Sequence, residues 1–290
     1  MLPDFLLPLC GEPRDFLPIG KWVNGLINHL LDTDSAGFDA VGRCINALAE
    51  AVEHGLQALP MWLLIALFAG VGFWRLSWRF ALFVVLALAL IAGIGFWPQT
   101  IVTLGLTFSA TVLSLLIGIP LGIWCANDRR VNALVRPVLD LMQTMPAFVY
   151  LIPAAMLFGL GRVPGILATV IFAMPPAVRL TSLGIRQVNL EQVEAGHAFG
   201  ANAWQLLFKV QLPIALPTIM TGVNQTIMMA LSMVIIASMV GAGGLGNDVL
   251  SSIQRLDVGL GFESGLSVVL IAIILDRITE SFARRDPGRR

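Results

Sequence analysis

The sequence predicts an all-α, polytopic integral membrane protein with about seven transmembrane helices. Composition is the first reason. Of 290 residues, 57% are hydrophobic and 12% charged, and mean hydropathy is +0.84. Soluble domains carry about 45–50% apolar and about 25% charged residues. An ordinary soluble enzyme, a disordered chain and a nucleic-acid binder are excluded on these grounds. The 18 cations balance the 18 acids, so no net field steers an anionic partner. The second reason is a series of charge-free stretches of spanning length. The third is an uneven placement of arginines between alternate loops.

Taken from the N-terminus, residues 1–54 form an acidic extracytoplasmic segment. It lacks a basic start, and Asp4, Glu12 and Asp15 interrupt any apolar core, so no ordinary signal peptide is expected. Phe38, Val41, Ile45, Leu48, Val52 and Leu56 recur at steps of three and four, the apolar stripe of an amphipathic helix. Trp22, Leu26 and Leu30 suggest a second, shorter one. Such helices lie on the outer membrane surface or touch a partner. Cys10, Cys44 and Cys125 are isolated and read as unpaired small residues. A Cys10–Cys44 bridge is open if this region lies outside.

A spanning helix needs about 20 mostly apolar residues. No Asp, Glu, Lys or Arg occurs between Glu53 and Arg75, which places a first span at 55–74. The charge-free run from Phe80 to Asn127 is broken at Trp97-Pro98-Gln99, a turn at a membrane surface. It divides into spans at 79–97 and 100–126. A fourth fits 138–160, a fifth 164–180 and a sixth 216–240. The seventh is short, because 12 residues separate Glu263 from Asp276 and these charges must snorkel to the interfaces. Residues 55–97 thus form two peripheral spans, 98–283 the core and 284–290 a basic tail.

With the N-terminus outside, the inside segments hold Arg75, Arg79, Arg129, Arg130, Arg136, Arg179, Arg186, Lys209, Arg277, Arg284, Arg285, Arg289 and Arg290, 13 of the 18 cations. That asymmetry sets the C-terminus in the cytoplasm and favours an odd number of spans.

Energy-coupling chemistry is absent. Only two lysines occur, Lys21 before Trp22 and Lys209 before Val210, so there is no GxxxxGK[ST] phosphate loop. His29, His54 and His197 make no HExxH pair, and there is no GxSxG. No catalytic residue and no metal site is assigned. Asp140 reads as a helix-end ion pair with Arg136, and Glu280 with Arg284 has the favourable i, i+4 order. Gly118 and Gly122 give a GxxxG spacing, a pointer to close helix packing.

The inside loop 187–213 is the most informative segment. It contains Glu194-Ala195-Gly196, Phe199-Gly200, Trp204, Phe208 and Leu212-Pro213. Residues 187–199 predict a short helix that Gly200 stops, and 202–210 a second that Pro213 limits. The result is a rigid knob whose aromatic side chains face the cytosol or a partner. The motif (Glu-Ala-Ala or Glu-Ala-Gly, three residues, Gly, nine residues, an aliphatic, one residue, Leu-Pro) resembles the EAA loop of ABC-importer permeases. Gly196 and Val210 are its departures. The segments 144–150, 164–173, 208–213, 222–226 and 243–246 look more narrowly like permeases of the glycine betaine/proline/choline group.

That resemblance implies a type I ABC-importer permease core that works by alternating access. It implies a homodimer in the bacterial inner membrane and no cofactor in this chain. ATP and Mg would be bound by two separate cytoplasmic ATPase subunits, each receiving one EAA loop as a coupling helix. A separate periplasmic or lipid-anchored binding protein would deliver the quaternary ammonium osmolyte, since the chain ends ten residues after Glu280. Met145, Pro146, Phe148 and Tyr150 either line the pathway or pack around a proline kink. Asn224 and Gln225 bond across helices or line the path. Gly241, Gly243, Gly244 and Gly246 form a gate hinge or a re-entrant turn. An ABC permease for another solute, such as an amino acid, and an ATP-independent carrier are the competing functions.

Overall fold

The computed structural model describes residues 19–283, with side chains from residue 36 onwards. Helices α1 (Ile19–Gln57), α2 (Met61–Arg75) and α3 (Trp78–Ile94) precede the core. The core comprises α4 (Trp97–Asn127), α5 (Arg129–Thr144), α6 (Phe148–Phe158), α7 (Arg162–Arg186), α8 (Leu190–Ala198), α9 (Ala203–Leu206), α10 (Leu212–Ala237), α11 (Leu245–Arg255) and α12 (Val258–Ala283). No strand occurs among the described residues.

Local sequence explains most boundaries. The Ser77 side chain caps α3 by accepting from Arg79 N–H, and Gly95 ends it in the left-handed conformation. Pro98 opens α4, where a missing N–H costs nothing. Asp128 caps α5 by accepting from Arg130 N–H at 2.7 Å. Inside the bundle, Thr107, Ser109, Ser114, Thr169 and Thr226 each donate to the carbonyl four residues back. Their hydroxyls are thereby satisfied where water cannot reach.

Helices α4, α7 and α10 form the centre. A Cβ on Gly118 would come within 3.0 Å of Ala177 Cβ, and one on Gly122 within 2.7 Å of the Val178 carbonyl. The GxxxG spacing therefore does mark a close approach, of α4 to α7. Gly222 does the same for α10 on α7, where a Cβ would meet the Pro176 carbonyl at 3.2 Å. Ile166, Met233 and Val234 fill the core between them, and α3 and α12 pack on the other side through Val84, Ile91, Ile271 and Leu275.

The structure revises several expectations. Among the described residues, four helical stretches are long and apolar enough to cross a membrane unbroken: Trp97–Asn127, Arg162–Arg186, Ala203–Val240 and Val258–Ala283. The expected span 138–160 is not one helix. Met145 is extended, as the residue before a proline must be, and α5 and α6 meet at 99°. The expected span 55–74 is the 15-residue α2, bent by 96° from the end of α1. The two amphipathic helices are one continuous α1. It packs on α4, α6 and α7, with Ile45 and Ala49 buried and Phe38 edge-on to Phe158. Asp140 pairs with Arg179 at 2.5 Å rather than with Arg136. Glu280 bonds to Arg277, and Arg284 lies outside the described residues. So do Cys10, and with it the possible bridge to Cys44, and the basic tail. Asp276 does not snorkel: Asn224 Nδ2 donates to it at 3.0 Å within the bundle.

Candidate functional site

The knob after α7 is built by backbone chemistry. Asn189 caps α8 through Glu191 N–H. At its other end Gly200, with φ +76°, lets Gly200 N–H reach the His197 carbonyl and Ala201 N–H the Gly196 carbonyl, a closure that satisfies two orphan acceptors. Asn202 and Gln205 then cap α9 reciprocally, at 2.8 and 3.0 Å. Pro213 does not stop the second helix, contrary to expectation. Residues Leu207–Gln211 form a π-helical turn in which Leu212 N–H bonds to Leu207, five residues back. The widened turn accommodates Pro213, which has no N–H and whose ring crowds the turn before it, and the helix runs on into α10.

Every aromatic of the knob is solvent-exposed: Phe199 92%, Trp204 71% and Phe208 56%. Trp204 and Phe208 stack at 5.7 Å with an 11° tilt. Glu194 and Ala195 are exposed on α8 beside them, and Gly196 is half-buried under Leu206. Leu212 is half-buried and Pro213 exposed. Between the knob and the end of α4 lies a cavity of about 750 Å³ lined by Ile123, Trp124, His197, Trp204 and Phe208. Trp124 was not singled out from sequence; its place at the end of a spanning helix was the available signal.

The other predicted residues fall into separate places. Met145 and Pro146 form the break between α5 and α6, and Phe148 is exposed just after it. Tyr150 Oη donates to the Met142 carbonyl at 2.9 Å, bridging the break. Asn224 and Gln225 point apart. Asn224 is held by Asp276 and accepts from Thr279, whereas Gln225 is exposed. Gln225 shares its helix face with exposed Thr221 and Ser232, which sequence reading missed although i, i+4 spacing places Thr221 there.

Gly241, Gly243 and Gly244 all have positive φ, and Gly244 admits no Cβ because Thr103 Oγ1 would lie 2.5 Å away. The turn is tied down by Leu245 N–H to Thr103 Oγ1 and Gly161 N–H to the Val240 carbonyl. A Cβ on Gly246 would come within 2.6 Å of the Ile235 carbonyl.

Charge separates the ends of the bundle. Arg75 on α2 donates to the Ser281 carbonyl of α12, and Arg186 on α7 to the Cys125 carbonyl of α4. These contacts tie the basic ends of α2 and α7 to α12 and α4, and the knob follows directly from the Arg186 end of α7. At the opposite end Glu53, only 12% exposed, pairs with Arg162 at 2.6 Å. Asp248, near the start of α11, has an oxygen buried without a partner, and burial pushes its carboxyl above the ordinary aspartate value.

An apolar bundle with broken and unbroken spans, one basic end and an exposed helical knob there defines a multi-span membrane transport component. Comparison with known proteins agrees. Residues 118–285 match the family described as binding-protein-dependent transport system inner membrane component. The glycine betaine/carnitine transport permease protein GbuB of Listeria monocytogenes is 46% identical over 93% of this chain and 96% of its own. The glycine betaine/proline betaine transport system permease protein ProW of Escherichia coli is 45% identical over 95% of this chain and 78% of its own. A chain of the inward-facing MetNI methionine ABC transporter shares the fold, with a TM-score of 0.57 at 21% identity over 63% of this chain and 94% of that one. The chain belongs to the binding-protein-dependent transport system inner membrane component family, as an ABC-transporter permease subunit.

Proposed function

We propose that this chain is the permease subunit of an ATP-driven importer of glycine betaine, choline or proline-type osmolytes. The observation that carries the coupling is the rigid α8–α9 knob with its exposed aromatic face at the basic end. In this reading the basic end faces the cytoplasm and the N-terminus lies outside. Glu194, Phe199, Trp204 and Phe208 seat on a separate ATPase subunit, which binds ATP and Mg and closes as a dimer. Because α9 runs without interruption into α10, a push on the knob moves a whole span, and alternating access follows. Relatives named for glycine betaine support the solute class.

Two copies enclose the pathway. The exposed stripe Thr221, Gln225 and Ser232 on α10 supports this, since polar side chains in a span face a partner or a water-filled path. A separate binding protein delivers the solute to the end that carries the glycine turn. The test is uptake of labelled glycine betaine, choline and proline by cells carrying the permease, its ATPase and its binding protein. Saturable uptake of one solute that vanishes with an inactive ATPase is expected. Uptake surviving that change would make the chain a secondary carrier.

A further inference from the structure

We propose that a second cavity, between α4, α5 and α7 at the basic end, binds a phosphate-bearing anion, either an anionic phospholipid headgroup or free phosphate. The cavity holds about 300 Å³ and is lined by Arg136, Arg179, Arg186, Asn132, Asp140 and Ser182 among others. A water's share of liquid volume is about 30 Å³, so a phosphate with an attached glycerol fits. Its floor is apolar and buried: Cys125, Leu139 and Val178 are 1%, 4% and 1% exposed.

The charges on its walls do not balance. Asp140 is the sole acid in the lining and is engaged by Arg179 at 2.5 Å. Arg186 donates to the Cys125 carbonyl, a neutral acceptor that leaves its charge uncompensated. Arg136 has no hydrogen bond or ion pair among the described residues. Arg136, Arg179 and Arg186 are all exposed, so water screens their mutual repulsion, and an anion seated among them adds charge-assisted hydrogen bonds beside the apolar floor. Planar guanidinium forks match the oxygens of a phosphate in geometry as well as in charge. A quaternary ammonium solute has no place here, since no aromatic ring lines the cavity.

The rim favours the lipid source. Leu183 lines the cavity and is 44% exposed. Leu134, Val138 and Leu141 present a further exposed apolar stripe along α5, on which acyl chains can lie. Basic pockets between spans at a membrane surface take lipid headgroups in this way.

The test compares the full-length chain with Arg136→Gln and Asp140→Asn. In one arm each protein is taken from vesicles of phosphatidylcholine and phosphatidylglycerol in equal parts, and retained phosphatidylglycerol is weighed by native mass spectrometry. In the other, inorganic phosphate is titrated calorimetrically into each protein held in phosphatidylcholine alone. Arg136→Gln should weaken binding about tenfold, the equivalent of one charge-assisted hydrogen bond. Asp140→Asn frees Arg179 and should tighten binding severalfold. This pair of opposite shifts in the lipid arm identifies the headgroup, and in the phosphate arm alone it identifies free phosphate. Equal binding by all three proteins in both arms, no binding by any, or a loss with both substitutions overturns the proposal.

Discussion

Gly196 is where this chain leaves the usual Glu-Ala-Ala pattern, and it lies against Leu206. A Cβ on Gly196 would lie 2.7 Å from Leu206 Cδ1, so α9 rests directly on α8. The obstacle is the far end of a flexible side chain, and alanine gains about 1 kcal/mol of helix propensity over glycine. Gly196→Ala should therefore leave the thermal midpoint of the purified permease nearly unchanged. Gly122→Ala should not, because there the new methyl meets the Val178 carbonyl and Thr181 Cβ, both at 2.7 Å. Neither can swing away, and a loss of about 1–3 kcal/mol is expected, read as a lower midpoint in the same assay. Asp248 supplies a prediction in pH. Its carboxyl is raised by burial, so the folded state prefers the protonated form. Its favourable contribution is full below the ordinary value of 3.8 and is lost as pH rises through the raised value. Asp248→Asn should accordingly raise the midpoint near neutral pH and have no such advantage below 3.8, as paired thermal scans at the two pH values would register.

Among the elements, α9 is the least able to hold itself. Four residues cannot nucleate a helix unaided, and its start depends on the reciprocal bonds of Asn202 and Gln205. Asn202→Ala should cost about 1 kcal/mol locally and loosen the platform that stacks Trp204 on Phe208. The expected result in the assembled transporter is weaker solute-stimulated ATP hydrolysis with normal membrane abundance. Undiminished stimulation would separate the cap from coupling. The elements also show what could be read in advance. Helix α8, its glycine stop and the start of α9 were legible because caps and stops are local chemistry. The joining of α9 to α10 was not, because a π-turn is chosen by how the flanking helices pack. The break at Met145–Pro146 carried its signal, the proline. The change from the amphipathic α5, with Arg129, Arg130, Arg136 and Asp140, to the uniformly apolar α6 was a second signal, but neither it nor the proline sets the 99° angle, which depends on packing. Periodicity likewise gave two amphipathic stripes in α1 without saying that the backbone between them continues.

At the scale of the whole molecule, the asymmetry of the arginines is a property of the sequence itself, read without any knowledge of packing. What the arginines touch was not legible. Arg179 chooses Asp140, 39 positions away, over the local pairing of Arg136 with Asp140, since α5 lies against α7. The same asymmetry yields a direct prediction of how the molecule sits. Cys44 is exposed on α1 and Cys125 is buried, so with Cys10→Ser in the background a thiol reagent reaches Cys44 alone among the native cysteines. If α1 lies outside, a membrane-impermeant maleimide should label that protein in intact spheroplasts. Phe199→Cys, placed on the most exposed aromatic of the knob in a chain also carrying Cys44→Ser, should label only after the membrane is opened. Both positions labelling from the same side would break the link between the basic end and the cytoplasm. Labelling of Cys44 only after opening, with position 199 labelled in intact spheroplasts, would invert the molecule and remove the knob from the reach of any cytoplasmic ATPase.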